Sequence, residues 1–168
     1  MYRNTTCKLQ AHRGVCTEAP ENTMAAFRLA VAQGYDIIEF DPKMTRDNVC
    51  IILHDRTLNR TGRVAGEAFA DEVKIADLTF ADLAPIDVGG WFAPQYIGEH
   101  IPTLAQALDY MKSVGIGRIL SASFRSSLWS AVLPSRMQWA SLRVWPTAAC
   151  VPLPADLPAS TPCAAQNR

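Results

Sequence analysis

Apolar positions along the chain fall into short runs separated by two stretches of helical spacing. Residues 7–11 (CKLQA) form a short strand candidate ending at His12. Residues 19–22 (APEN) mark a turn, after which Thr23 opens a helix, TMAAFRLAVAQ, with Met24, Phe27 and Val31 recurring at helical spacing. Gly34 stands where that helix should stop. Tyr35 to Asp41 read as a second strand. Val49 to Leu53 read as a third, ending at His54, and its unbroken apolar run fits a strand buried on both faces. Only the turn Thr45-Arg46-Asp47-Asn48 separates those two strands, so the connection reads as a hairpin or tight meander. A second helix, LAQALDYMKSV, follows Pro102. Thr103 and Gln106 have capping-box spacing, and Gly115 lies at its end.

Strand, helix, strand is the opening of an α/β fold with parallel strands. Residues 55–100 are rich in Gly and loop residues, with short helical turns expected around Ile75 to Leu83. This is long for a plain connection, and long excursions in compact domains often serve as lids or binding loops. Residues 1–117 therefore read as one unit with 55–100 as an inserted loop region. After Gly117 the composition breaks. Lysine and glutamate vanish, Asp156 is the only acid, and Trp129, Trp139 and Trp145 crowd together before a proline-spaced tail. Residues 118–168 read either as a disordered tail or as the product of a frameshift, and the tryptophans favour the frameshift.

Net charge is zero over 168 residues, so no general attraction to polyanions is expected and nucleic-acid binding is not predicted. No apolar run reaches the ~18 residues of a membrane span. The first residues carry no signal-like apolar stretch, which predicts a cytoplasmic location. Cys7, Cys16, Cys50, Cys150 and Cys163 form no metal spacing, and scattered reduced thiols fit that compartment.

Polar and titratable groups gather at the ends of the strand candidates, where α/β folds place their sites. His12 ends the first, Glu39 and Asp41 share the second, and His54 ends the third. Residues i and i+2 of a strand share a face, which puts Glu39 and Asp41 about 6–7 Å apart by strand rise. Paired hard carboxylates suit Mg²⁺ or Ca²⁺. Two nearby histidines suit acid and base roles, since imidazole titrates near neutral pH. Each piece alone has a plainer explanation: a Glu-x-Asp at a strand end is usually a solvated edge, and His54-Asp55 fits a capping turn. The coincidence at three strand ends carries the argument.

AHRG at 11–14, PENT at 20–23, the IEFD strand with Lys43, HDRTLNRT at 54–61 and VGGWFAPQYIGEHIPTLAQAL at 88–108 together resemble the glycerophosphodiester phosphodiesterases, in the bacterial cytosolic flavour. The resemblance covers about residues 7–117. It implies a TIM-barrel (β/α)8 fold and hydrolysis of glycerophosphodiesters to glycerol 3-phosphate and an alcohol. It implies His12 and His54 as the acid/base pair, and Glu39 and Asp41 as ligands of Mg²⁺ or Ca²⁺. Arg13 is implied as the phosphate contact, with Lys43, Asn22 and Glu21 near the substrate and Trp91 and Phe92 lining the alcohol side. The partner implied is a small-molecule substrate.

A full barrel takes about 250 residues. Family pattern ends at Gly117, so only the N-terminal portion of a barrel is expected. In the family the next strand carries a third acidic metal ligand, whereas Gly117 to Ala122 contain no acid. Two expectations follow: a working hydrolase, or a truncated relative that is impaired in catalysis.

Overall fold

The computed structural model describes residues 8–120. The first strand, β1, is short, Gln10–Ala11, and delivers His12 at its end. Helix α1 runs Met24–Ala32. Thr23 starts it in extended backbone and accepts a hydrogen bond from the Ala26 amide, a cap worth about 1 kcal/mol. Its core face is Ala26, Phe27 and Ala30, all fully buried, with Met24 and Val31 packed at the margin. Strand β2, Ile37–Phe40, follows and pairs in parallel with β1.

The expected third strand exists as β4, Cys50–Ile52, but it does not join the parallel sheet. It pairs antiparallel with β3, Pro42–Met44, placing Lys43 opposite Ile51. The cause is the short link, because a parallel partner needs a crossover of a dozen or more residues. The third parallel strand is instead β7, Gly117–Leu120, which lies on the other side of β2. It is reached through helix α2, Leu104–Ser113, whose predicted capping box between Thr103 and Gln106 is complete. The chain thus makes two successive βαβ units around β2, with β3, β4 and the 55–100 insertion inside the second.

Strand β4 joins two apolar cores through its period of two. Cys50 and Ile52 pack with Phe27, Phe40 and Met111 beneath the parallel sheet. Ile51 and Leu53 face the other way, into a cluster with Leu58, Ile75, Leu83 and Ile86. That second cluster gives the insertion its own interior. A small hairpin, β5 (Arg63–Val64) with β6 (Glu67–Ala68), and single 3-10 turns at Ile75–Asp77, Ala81–Leu83 and Pro94–Tyr96 cover it. Burial pushes the Cys50 thiol up to about 11. Among the described residues, no helix is long and apolar enough to cross a membrane. The tail reading at 118–168, with its tryptophans, lies outside the described residues from 121 onward.

Candidate active site

The loop after β1 is held in a conformation that most residues avoid. Arg13 has φ 54° and Asn22 φ 57°, both left-handed, and the Asn22 amide donates to the Arg13 carbonyl at 3.0 Å. Gly14, at φ 78°, lets the loop press on α1: a Cβ there would lie 2.6 Å from the Ala26 Cβ. Non-glycine residues in this region cost on the order of 1–3 kcal/mol and persist only where the surroundings fix them. Here they are fixed by the carboxylates. The Arg13 amide donates to Glu39 Oε2 at 3.0 Å. Asn22 Nδ2 donates to Asp41 Oδ2 at 3.0 Å, while the Asp41 amide donates to Asn22 Oδ1 at 3.3 Å.

Glu39 and Asp41 are thereby oriented on one oxygen each. Oε1 of Glu39 and Oδ1 of Asp41 make no hydrogen bond to any described residue. Burial, and next the Asp41 charge beside it, hold the Glu39 carboxyl above the usual carboxylate range. Two hard donors with one uncommitted oxygen apiece fit a Mg²⁺ or Ca²⁺ that fills its remaining positions with water and phosphate oxygens. Among the described residues no group of three or more His, Cys, Asp or Glu side chains converges on a metal position.

The histidines flank this pair. His12 Nε2 lies 3.9 Å from Glu39 Oε2, with its ring largely exposed. Burial of its inner part, and next the Arg13 charge, lower its pKa below the ordinary value, which favours neutral imidazole. His54 Nδ1 is 2.7 Å from Asp55 Oδ1, and Nε2 makes no hydrogen bond to any described residue. Arg13 Nε stands 3.4 Å from Asp41 Oδ2 without hydrogen-bond geometry, a buried donor with no partner. A buried unpaired guanidinium nitrogen beside carboxylates is costly unless a ligand completes it.

Arg60 ties these parts together, and sequence reasoning did not single it out. Its Nη1 and Nη2 grip both oxygens of Glu21 at 3.1 and 2.6 Å, and its Nε donates to Asp55 Oδ2 at 2.7 Å. Glu21 in turn accepts from Arg13 Nη1 at 3.2 Å. Burial alone would raise the Asp55 carboxyl, but hydrogen bonds from Arg60 and His54 hold it below its ordinary value. The available signal was an acid directly after the strand-end His54 and an arginine five residues beyond it.

The remaining expected residues divide. Asn22 sits 2% exposed behind Asp41, and its amide holds that residue at both ends, Nδ2 donating to the carboxylate and Oδ1 accepting from the backbone N–H. Its side chain is buried and turned to Asp41. Trp91 donates its indole N–H to the Val88 carbonyl and lies under the Arg60 guanidinium, 5.7 Å from ring centroid to Cζ. Phe92 packs edge-on against it. Lys43 is half-buried on β3, and burial lowers its pKa.

The profile of the Glycerophosphoryl diester phosphodiesterase family matches residues 12–122, a span holding every one of these groups. The chain belongs to this family. A glycerophosphodiester phosphodiesterase from Caldanaerobacter subterraneus subsp. tengcongensis is 38% identical over 99 residues, covering 59% of this chain and 38% of that one. The crystal structure of a glycerophosphodiester phosphodiesterase from Agrobacterium tumefaciens superposes with a TM-score of 0.60 at 33% identity, over 67% of this chain and 46% of that one. An Oleispira antarctica phosphodiesterase in complex with the product sn-glycerol-3-phosphate superposes with a TM-score of 0.61 at 34% identity, over 68% of this chain and 43% of that one. The fold is the N-terminal portion of the family's TIM barrel, and the chain spans less than half the length of these relatives.

Proposed function

We propose that this chain carries the phosphodiester-cleaving half of a glycerophosphodiester phosphodiesterase, which releases glycerol 3-phosphate and an alcohol. The observation that carries the reading is that His12 stands 3.9 Å from Glu39, beside Asp41 and Arg13, with His54 within electrostatic reach of both His12 and Glu39. Arg13 would bind the phosphoryl oxygens through the part of its guanidinium not committed to Glu21 and Asp41, since a planar donor fork suits phosphate. His12 is the better base, because its lowered pKa keeps it neutral and able to take the proton of the attacking hydroxyl, from water or from the glycerol moiety. His54 would protonate the leaving alkoxide, its ring set by Asp55. Glu39 and Asp41 would hold Mg²⁺ or Ca²⁺, which supplies positive charge to the phosphoryl oxygens as negative charge develops there. The product-bound relative supports glycerol 3-phosphate as the fragment retained.

Release of glycerol 3-phosphate from glycerophosphocholine by the purified chain, with Mg²⁺ or Ca²⁺ added and then chelated, tests the reading. Metal-dependent turnover that His12→Ala and His54→Ala each abolish is the expected result. Turnover indifferent to both substitutions would remove the two-histidine assignment. A second reading, a non-catalytic relative, is favoured by the lack, among the described residues, of a third acidic side chain beside Glu39 and Asp41. Absence of turnover with an intact fold would select it.

A further inference from the structure

Beside the site lies a cleft of about 380 Å³ lined by Lys43, Arg56, Lys74, Glu72, Met44 and Ile75. That volume lies within the range of small-molecule pockets. Its walls are fixed by backbone. The Ile75 amide donates to the Arg56 carbonyl at 3.0 Å and the Leu58 amide to the Val73 carbonyl at 2.9 Å, so 56–58 and 73–75 run side by side. Thr57 and Lys74 pair directly in that bridge. Buried Ile75 belongs to the insertion core and gives the cleft an apolar floor. The cleft adjoins the chemistry on both sides. Lys43 follows Asp41 by two residues and Arg56 follows His54 by two, and Lys43 lies within electrostatic reach of Asp41, Asp55 and Arg56.

The charges of this cleft are unbalanced. Lys74 meets Glu72 at 3.3 Å, both exposed. Neither the Lys43 nor the Arg56 side chain makes an ion pair or hydrogen bond to any described residue. By contrast, Arg13 and Arg60 are both engaged by carboxylates. Lys74 is paired with Glu72, and Lys43 feels Asp41 and Asp55 at a distance, but Lys43 and Arg56 stand over an apolar floor with no ion-pair partner among the described residues, an arrangement suited to an anion. We propose that this cleft is an anion-binding subsite for a phosphomonoester or carboxylate on the alcohol half of a glycerophosphodiester, so that diesters with an acidic headgroup are preferred. Assigning the anion to the alcohol half rests on the hydrolase reading above; binding of an anion in the cleft does not.

Amide chemical shifts of the full chain, titrated with inorganic phosphate and separately with acetate in metal-free, low-salt buffer, test the binding. Saturable shifts at Thr57, Lys74, Ile75 and Ala76 are expected, weakened about fivefold in Lys74→Gln or Arg56→Gln, as loss of one ordinary solvent-exposed hydrogen bond implies. The stronger of the two probes identifies the preferred anion. Both replaced residues are exposed, so the fold should survive, and the amide spectrum itself reports that. Shifts confined to the surroundings of Arg13 and Glu21, or affinity unchanged in both variants, would overturn the subsite. In the assay, the kcat/KM ratio of glycerophosphoserine to glycerophosphoethanolamine, which differ by one carboxylate, should fall about fivefold in Arg56→Gln. An unchanged ratio removes the substrate preference. If phosphate binds the cleft while neither diester turns over, the hydrolase reading falls and the anion site stands.

Discussion

Arg60 spans two carboxylates that each position a different working group: Asp55 holds His54, and Glu21 holds Arg13. Its fork geometry serves both at once, which a lysine point charge cannot do. Removing it frees two side chains whose placement the proposed mechanism needs, and misplacement by about 1 Å costs on the order of 100-fold in rate. Arg60→Ala should therefore lower kcat/KM by roughly 10- to 100-fold, with Arg60→Lys between it and the parent. A steady-state comparison in which both variants stay within a factor of two of the parent would exclude this role. Asp55 makes a separate prediction about pH. Its folded pKa lies below the unfolded value, so its stabilising contribution is full above the unfolded pKa near 3.8 and disappears as pH falls through the lower folded value. Urea midpoints of the parent and Asp55→Asn should thus differ at pH 6 and converge as pH falls through the folded value, below the ordinary carboxylate range. A gap that persists at the acid end would point to lost packing.

Individual elements were legible in proportion to how local their signals are. The capping box at Thr103 and the 3.6-residue spacing in α1 involve neighbours in sequence, and both elements stand where the pattern put them. The two-sided burial of β4 was equally readable from its apolar run. Its partner was not fully readable, because pairing is decided by connection length and by contacts with residues far along the chain. The insertion was the least legible. Its cluster depends on Leu58, Leu83 and Ile86, which are widely spaced and carry no periodicity. One close approach in it is testable. A Cβ on Gly89 would sit 1.9 Å from the Tyr96 carbonyl oxygen, so backbone must move. Asp87 also binds the Gly89 and Gly90 amides, at 3.1 and 2.6 Å, which limits where that backbone can go. Gly89→Ala should cost about 1–3 kcal/mol in denaturant unfolding, the range of overpacking, and should perturb Trp91 fluorescence. An unchanged urea midpoint would mean that the loop yields freely.

Across the whole molecule, the site is assembled from both βαβ units, and this explains what the chain pattern alone conveyed. His12, Glu39, Asp41 and His54 were identifiable because each closes or follows a strand candidate. The network that connects them was not, because Arg60 to Glu21 spans 39 positions and Asn22 to Asp41 spans 19. The same assembly would make the proposed metal binding visible as stability. A cation held by Glu39 and Asp41 binds only the folded chain, since unfolding separates β1, α1 and the end of β2, which orient the pair. It therefore stabilises by RT ln(1 + [M]/Kd), about 2.7 kcal/mol at a hundredfold excess over Kd. Because the raised Glu39 pKa means a proton competes with the metal, the effect should grow with pH. Millimolar Mg²⁺ or Ca²⁺ should raise the thermal midpoint by several degrees at pH 8 and by less at pH 5. In Asp41→Asn the shift should vanish, since an amide oxygen is a weak substitute for a carboxylate and its retained pairing with Asn22 keeps the loop in place. An equal metal-induced shift in Asp41→Asn would place the cation elsewhere. No shift in the parent at pH 8 would mean that the described pair of carboxylates does not hold a metal without the phosphate of a substrate.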